Sequence, residues 1–363
     1  MWRSLVRPAL FTLDAAEAHE LATAAMGPLE HVPPLRALVR AMCAARDPRV
    51  AVQTMGLSFP SPLGLAGGFD KNAHRPHALA AIGFGFLELG TVTARAQEQN
   101  PTPNLFRLPA DRALINRLGF PNEGAAQVAL RFVEGGGAAS CGVPVGFSIG
   151  KSRVVDVDPI EGAIEDYLAS FRAVHPVSDF VVVNVSSPNT KNLRALQGAD
   201  VARALLSALV RENQGRKPLL LKIAPDLGDA DLEALLAVVD EVGLDGVVAT
   251  NTTIGRADLR TPREVVDAIG AGGLSGPPLR LRAREIVRRV RARLGKKITV
   301  VGVGGVENAG DVLALVRAGA DLVQMYTGFI YGGPFTPRRI ARELGELVTR
   351  AGATSIRELV GTE

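Results

Sequence analysis

The stretch FVVVNVSSPNT, from Phe180 to Thr190, decides how this chain is read. Phe180 to Val183 are β-branched or aromatic, the composition of a strand buried on both faces. The run then breaks into Asn184, Ser186, Ser187, Pro188 and Asn189, residue types that turn a chain. Amides and hydroxyls directly past a buried strand stand where α/β proteins place their chemistry. Alone, SSPN would better suit a solvated turn, so the decision rests on whether the pattern recurs.

It recurs along the chain. Short apolar runs occupy Leu63–Ala66, Phe86–Leu89, Val145–Ile149, Phe180–Val185, Leu219–Ile223, Gly246–Ala249, Ile298–Val301 and Leu322–Met325. Most lead through Gly, Ser, Thr, Asn or Pro into an amphipathic helical pattern, as at Asp229–Val242 and Pro277–Leu294. Eight such alternations predict an α/β fold, a (β/α)8 TIM barrel. A doubly wound open sheet is the alternative, but no G-x-G-x-x-G follows the first strand. The connection from Arg95 to Gly124, rich in Pro and polar residues, is long enough to be a lid or binding loop.

Residues 1–48 differ from the rest. Asp14 to Met26 and Pro33 to Ala45 predict two short helices joined by the breaker segment Gly27–Pro34. Two helices bury too little to fold alone and must lie against the main body, residues 49–363. Either they cap it, or they form a patch that rests on a membrane without crossing it.

Composition narrows the function. The 363 residues are 47% hydrophobic and 21% charged, ordinary for a globular protein. The net charge of +4 is spread over scattered Lys and Arg, which gives nucleic-acid binding little support. Cys43 and Cys141 form no C-x-x-C pair and have no neighbouring His at ligand spacing, which argues for a reducing compartment and against a disulfide frame or zinc site. His74 and His77 find no third ligand type nearby and are assigned to a solvated helix face. No apolar run approaches the ~18 residues of a membrane span, and the start lacks a signal peptide's apolar core.

In a barrel the C-terminal strand ends share one mouth. They would bring together AGGFDK (Ala66–Lys71), GTVT (Gly90–Thr93), FSIGK (Phe147–Lys151), NVSSPN, LKIAPD (Leu221–Asp226), ATNTT (Ala249–Thr253), GVGG (Gly302–Gly305) and QMYTG (Gln324–Gly328). Gly304 and Gly305, with Gly276 and Tyr326–Thr327, suggest bare N–H groups for a phosphate. Lys222, in or at the end of a buried strand, must be paired or face a ligand. Asn116, Asn184, Asn189 and Asn251 offer paired donors and acceptors that match the edge of a cyclic imide or pyrimidine. No triad, close carboxylate pair or metal cluster stands out. A lysine, hydroxyls and amides without a metal suit an organic cofactor that carries the difficult chemistry. The residues themselves thus point to a phosphate-tethered cofactor, a small polar ring, and redox or proton transfer.

These motifs resemble the dihydroorotate dehydrogenases, specifically the quinone-linked, membrane-associated class 2. The likeness runs from HEL near His19 through LGLAGGFDK, GFLELGTVT, LFRL, INRLGF, NVSSPNT, LKIAPD, ATNTT, GGLSG, VGVGG and LVQMYTGFI. The resemblance implies an FMN-binding barrel that oxidises dihydroorotate to orotate in pyrimidine biosynthesis and passes the electrons to a membrane quinone. It would make Ser187 the base, where class 1 relatives have Cys, and Lys222 the charge facing the flavin. FMN would be held by Gly67, Gly68, Phe69, Asp70, Lys71, Thr91, Ser148, Asn184, Lys222, Thr250, Gly276, Gly305, Tyr326 and Thr327. The pyrimidine would meet Lys71, Asn116, Arg117, Leu118, Gly119, Phe120, Asn184, Asn189, Asn251 and Thr252. His19, Arg107 and Tyr326 match residues near the quinone tunnel. Ser148 departs from the family's usual Asn, which would loosen contacts there. With no transit peptide or membrane span visible, a bacterial enzyme peripheral on the cytoplasmic side of the membrane is expected, as a monomer, and the composition predicts no nucleic acid and no metal. Rival readings are a soluble fumarate- or NAD-linked dihydroorotate dehydrogenase, an RNA-modifying flavin barrel, and a non-enzymatic membrane adaptor.

Overall fold

Eight parallel strands close into a barrel: β1 (Leu63–Leu65), β2 (Phe86–Val92), β3 (Val145–Ile149), β4 (Phe180–Asn184), β5 (Leu219–Ile223), β6 (Gly246–Ala249), β7 (Thr299–Val303) and β8 (Leu322–Met325). The structure, a computed structural model, describes residues 2–363. Neighbours in sequence are neighbours in space, and β8 returns to β1 with Met325 opposite Leu65. Strands β3, β4, β5, β6 and β8 are buried at every residue, as expected where helices cover the outside and side chains fill the inside. The helices Asp229–Val242 and Arg280–Leu294 lie where the amphipathic patterns place them, the second preceded by a tight turn over Pro277–Leu279.

Aromatic rings fill the end of the barrel away from the mouth. Phe59, Phe86 and Phe180 meet edge to face at 5.5 and 6.3 Å between centroids. Phe59 comes from an antiparallel hairpin, Val52–Thr54 with Leu57–Phe59. Gly64 and Gly146 make room for these rings, since a Cβ at either would stand within 2.4 Å of a phenyl carbon. That end is therefore solid, and chemistry is confined to the other.

The connection after β2 is more ordered than its polar composition predicts. Leu105–Leu108 and Ala113–Asn116 form a hairpin, and Gly273–Ser275, from beyond β6, adds a third antiparallel strand. Asn116 sits at the end of this sheet, opposite both Leu105 and Gly273. Asn122 secures the hairpin to the barrel: its side chain accepts from the Thr93 amide at 3.2 Å and donates to the Thr93 hydroxyl at 2.8 Å.

The N-terminal helices run Ala15–Ala24 and Pro33–Cys43, with a helical turn at Gly27–His31. Asp14 caps the first, its carboxylate accepting from the Ala16 amide at 2.7 Å. Several barrel residues hold this segment. Arg107 donates to the Leu13 and Asp14 carbonyls, Arg75 to the Thr23 carbonyl, and Arg40 reaches the Cys141 carbonyl at 2.7 Å. Glu30 takes the Ala78 amide at 2.8 Å and meets His77 Nδ1 at 2.5 Å, while His77 Nε2 meets Ser140 Oγ at 2.6 Å. This corrects the assignment of His77 to a solvated face. The ring is 3% exposed, because it is the partner of a buried carboxylate from another segment.

Candidate active site

The register across the mouth sets Asn184 of β4 directly opposite Lys222 of β5. Both line a cavity of about 140 Å³ at the C-terminal strand ends, together with Ser187 and Asn251. The other walls come from the ends of β1, β7 and β8 and from the lid hairpin.

Two polar networks fix the amides. Asn184 donates to Thr91 Oγ1 at 3.0 Å, and Thr91 pairs with Ser148 Oγ at 2.9 Å. Asn251 donates to Ser186 Oγ at 2.9 Å and to Asn184 Oδ1 at 3.3 Å. Asn189 donates to Asn116 Oδ1 at 3.1 Å, joining the β4 loop to the lid. Each amide is oriented by a neighbour: Asn116 and Asn189 keep a spare N–H and a spare lone pair for a ring, Asn184 keeps one N–H, and both ends of Asn251 are engaged within the wall.

Ser187 is 5% exposed and its Oγ accepts from the backbone N–H of Asn189 at 3.2 Å. A hydrogen bond donated to the oxygen favours its deprotonated form, the kind of help a serine base needs. Arg194 holds this loop from behind. It donates to the Ser186 carbonyl at 3.0 Å and the Thr252 carbonyl at 3.0 Å, and pairs with Asp226 at 2.8 Å.

Lys222 satisfies both of the sequence alternatives at once. Its ammonium pairs with Glu88 Oε1 at 2.9 Å, and the same side chain lines the cavity. Glu88, on β2, is fully buried, and its second oxygen accepts from Gln324 Nε2 at 2.8 Å. Burial lowers Lys71 to about 8, although Lys71 also donates to the Gly68 carbonyl at 2.6 Å.

Backbone shapes the far wall. Gly276 and Gly305 have φ of +97° and +70°. A Cβ at Gly276 would stand 2.8 Å from the Arg112 carbonyl, and one at Gly305 2.6 Å from Arg280 Cβ. The N–H groups of Gly305, Thr327 and Gly328 donate to no backbone carbonyl. Gln324 Oε1 is buried without a partner on the same cavity. Unclaimed N–H groups on one side and an unclaimed acceptor at the base fit a group that carries both an anionic tail and an N–H-bearing ring.

Of the residues singled out above, the cavity wall includes Gly67, Gly68, Lys71, Thr91, Thr250, Gly276, Gly305, Tyr326, Thr327, Asn116, Leu118, Gly119, Phe120, Asn189 and Thr252 besides those already placed. Four lie off it. Asp70 accepts from the His74 and Arg75 amides and holds a turn. Arg117 turns away to the Ile269 carbonyl at 2.6 Å and the Phe106 ring at 4.8 Å. Ser148 stands behind Thr91, fully buried. Phe69 lines a second cavity instead.

That second cavity measures about 490 Å³ and is mostly apolar. Ala18, His19, Ala22, Met26, Val39 and Met42 of the N-terminal segment face Phe69, Ile82, Arg107, Phe329 and Ile330 across it. Tyr326, Leu105 and Leu114 belong to both cavities and form the partition. His19 meets Phe69 edge to face at 5.1 Å, and burial drives its pKa down to about 4.

A closed parallel barrel that gathers a buried lysine, four amides and a bare-backbone cradle at its C-terminal mouth defines a cofactor-dependent barrel enzyme. The family model described as dihydroorotate dehydrogenase matches residues 49–348. Curated relatives called dihydroorotate dehydrogenase (quinone) include one from Thermobifida fusca, 47% identical over 100% of this chain and 97% of the relative. Another, from Rhodococcus opacus, is 49% identical over 99% of both. Among solved structures, DHODH from Eimeria tenella in complex with ferulenol superposes with a TM-score of 0.84 at 32% identity, over 96% of this chain and 95% of that one. The chain belongs to the dihydroorotate dehydrogenase family.

Proposed function

We propose that the protein oxidises dihydroorotate to orotate and delivers the electrons to a membrane quinone. The observation that carries this is the meeting of Ser187, Lys222 and the four asparagines on one cavity, beside an apolar one that shares its wall. Asn116, Asn184, Asn189 and Asn251 would hold the pyrimidine edge, with Thr252 and Lys71 assisting. Ser187 Oγ takes the proton from C5, helped by the Asn189 N–H and held in place through Arg194. FMN, when bound, would supply acceptance of the C6 hydride and onward transfer of two electrons. Its phosphate suits the N–H groups of Gly305 and Thr327, and Lys222 would place positive charge beside the ring.

Residues 1–48 form, in this proposal, the quinone-entry unit of a barrel spanning 49–363. Leu5, Leu21, Leu38 and Met42 expose their side chains on that segment, and Phe335 is 62% exposed at the apolar cavity's rim. Such a surface suits peripheral attachment to a bilayer, here the cytoplasmic face of a bacterial membrane, by a monomer. No described helix is long and apolar enough to cross a membrane.

Anaerobic stopped-flow spectroscopy tests the whole. Dihydroorotate bleaches the yellow protein, and a quinone restores the colour where fumarate and NAD do not. Deleting residues 1–48 leaves bleaching intact and slows recovery with a long-chain quinone. Failure of dihydroorotate to bleach the protein overturns the substrate, and equal slowing of both phases overturns the quinone role of the helices.

A further inference from the structure

Glu88 touches neither cavity, yet it governs two side chains that line one of them. It sits on β2 with no exposed surface. Each oxygen is engaged from a different strand, Oε1 by Lys222 of β5 at 2.9 Å and Oε2 by Gln324 of β8 at 2.8 Å. The Gly67 backbone packs straight onto it, since a Cβ there would stand 2.3 Å from Oε1. Stability alone gives little reason for such a pair, because apolar residues of similar volume usually fold a core as well.

Gln324 supplies the second observation. An amide beside a carboxylate presents its NH2, because the reversed amide would set oxygen against oxygen. Glu88 therefore turns Gln324 Oε1 away from itself. That oxygen is buried and has no partner, and Gln324 belongs to the cavity wall. A native fold rarely leaves such an acceptor empty unless a ligand donates to it.

We propose that Glu88 is a positioning residue for the cofactor. It holds Lys222 and orients Gln324, so that a neutralised ammonium and a bare carbonyl oxygen face the same ring. This rests on the flavin reading, and it assigns Gln324 Oε1 to the imide N–H, the only N–H of the oxidised ring system. An ammonium paired with a carboxylate acts as a dipole whose field fades faster than that of a lone charge. Glu88 therefore restrains the ring's readiness to accept electrons and leaves it able to pass them to a quinone.

The test uses the holoenzyme with the near-isosteric Glu88→Gln, and its midpoint potential is measured at pH 6 by equilibration with a redox dye. The freed charge of Lys222 raises the potential, so that the reduced-to-oxidised ratio at a fixed setting grows at least about tenfold, about 30 mV for a two-electron couple. An unmoved or lowered potential overturns the proposal. Gln324→Leu changes no charge and is read separately, by titrating apoprotein with FMN and following the quenching of flavin fluorescence. Its affinity falls about tenfold, the effect of one lost hydrogen bond. If Glu88→Gln fails to fold, this second measurement decides, and undiminished affinity overturns the proposal. A colourless wild-type protein would instead defeat the flavin reading itself, so the two failures are told apart.

Discussion

The two cavities differ in how their walls are held. In the polar cavity the polar wall side chains are held by hydrogen bonds, as from Asn184 to Thr91, Asn251 to Ser186 and Lys222 to Glu88. In the apolar cavity the walls are mostly aliphatic and aromatic side chains, and the polar ties are few: Arg107 on the wall itself, with Arg75 and the Glu30–His77 pair outside it. Directional bonds fix a small ring in one pose, as proton and hydride transfer require. A wall of aliphatic and aromatic groups accepts a long hydrophobic molecule without dictating its pose.

Removing one member of a buried ion pair is the most severe way to break the polar wall. Lys222→Ala strands the Glu88 carboxylate and costs about 3–5 kcal/mol of stability, read from denaturant melts. Adding Glu88→Gln to it recovers part of the loss, and no recovery would mean that the carboxylate is satisfied elsewhere. Ser187→Ala retains its colour but is bleached by dihydroorotate at least ~100-fold more slowly in single-turnover kinetics. Normal bleaching would remove Ser187 as the base.

The apolar wall is best probed through pH. His19 is lowered from 6.5 to about 4 in the fold, so between those values the unfolded chain binds a proton that the native one does not. Stability therefore declines as pH falls from about 6.5 towards 4. Discounted for the ring's partial exposure, the term is on the order of 2 kcal/mol, and His19→Gln flattens the slope in melts taken across that range. The mildest effect comes from Arg194, which lines neither cavity. Arg194→Ala slows bleaching about tenfold through a looser Ser187 loop, while Arg194→Lys restores part of the rate.

The barrel was legible because each strand is a short apolar run closed by turn chemistry. Strands β3, β5, β6 and β8 have the bounds that the runs predict. The lid was not, because Gly273–Ser275 pairs with a hairpin more than 150 residues earlier, beyond the reach of any local period. Glu88 was overlooked inside FLELG, although a lone carboxylate in a buried strand is the natural counterpart of a lone buried lysine. Gln324 was hidden in the same way in LVQM. Arg117, adjacent to Asn116, was grouped with the pocket, but side chains alternate in direction along an extended segment.

Tyr326, Leu105 and Leu114 stand between the two cavities as a party wall, so under the proposed function the oxidant and the reductant would never occupy the same space. Initial-rate plots at several fixed quinone levels would then be parallel lines. A compound lodged among Met26, Val39 and Phe329 would cut the maximal rate without competing for dihydroorotate.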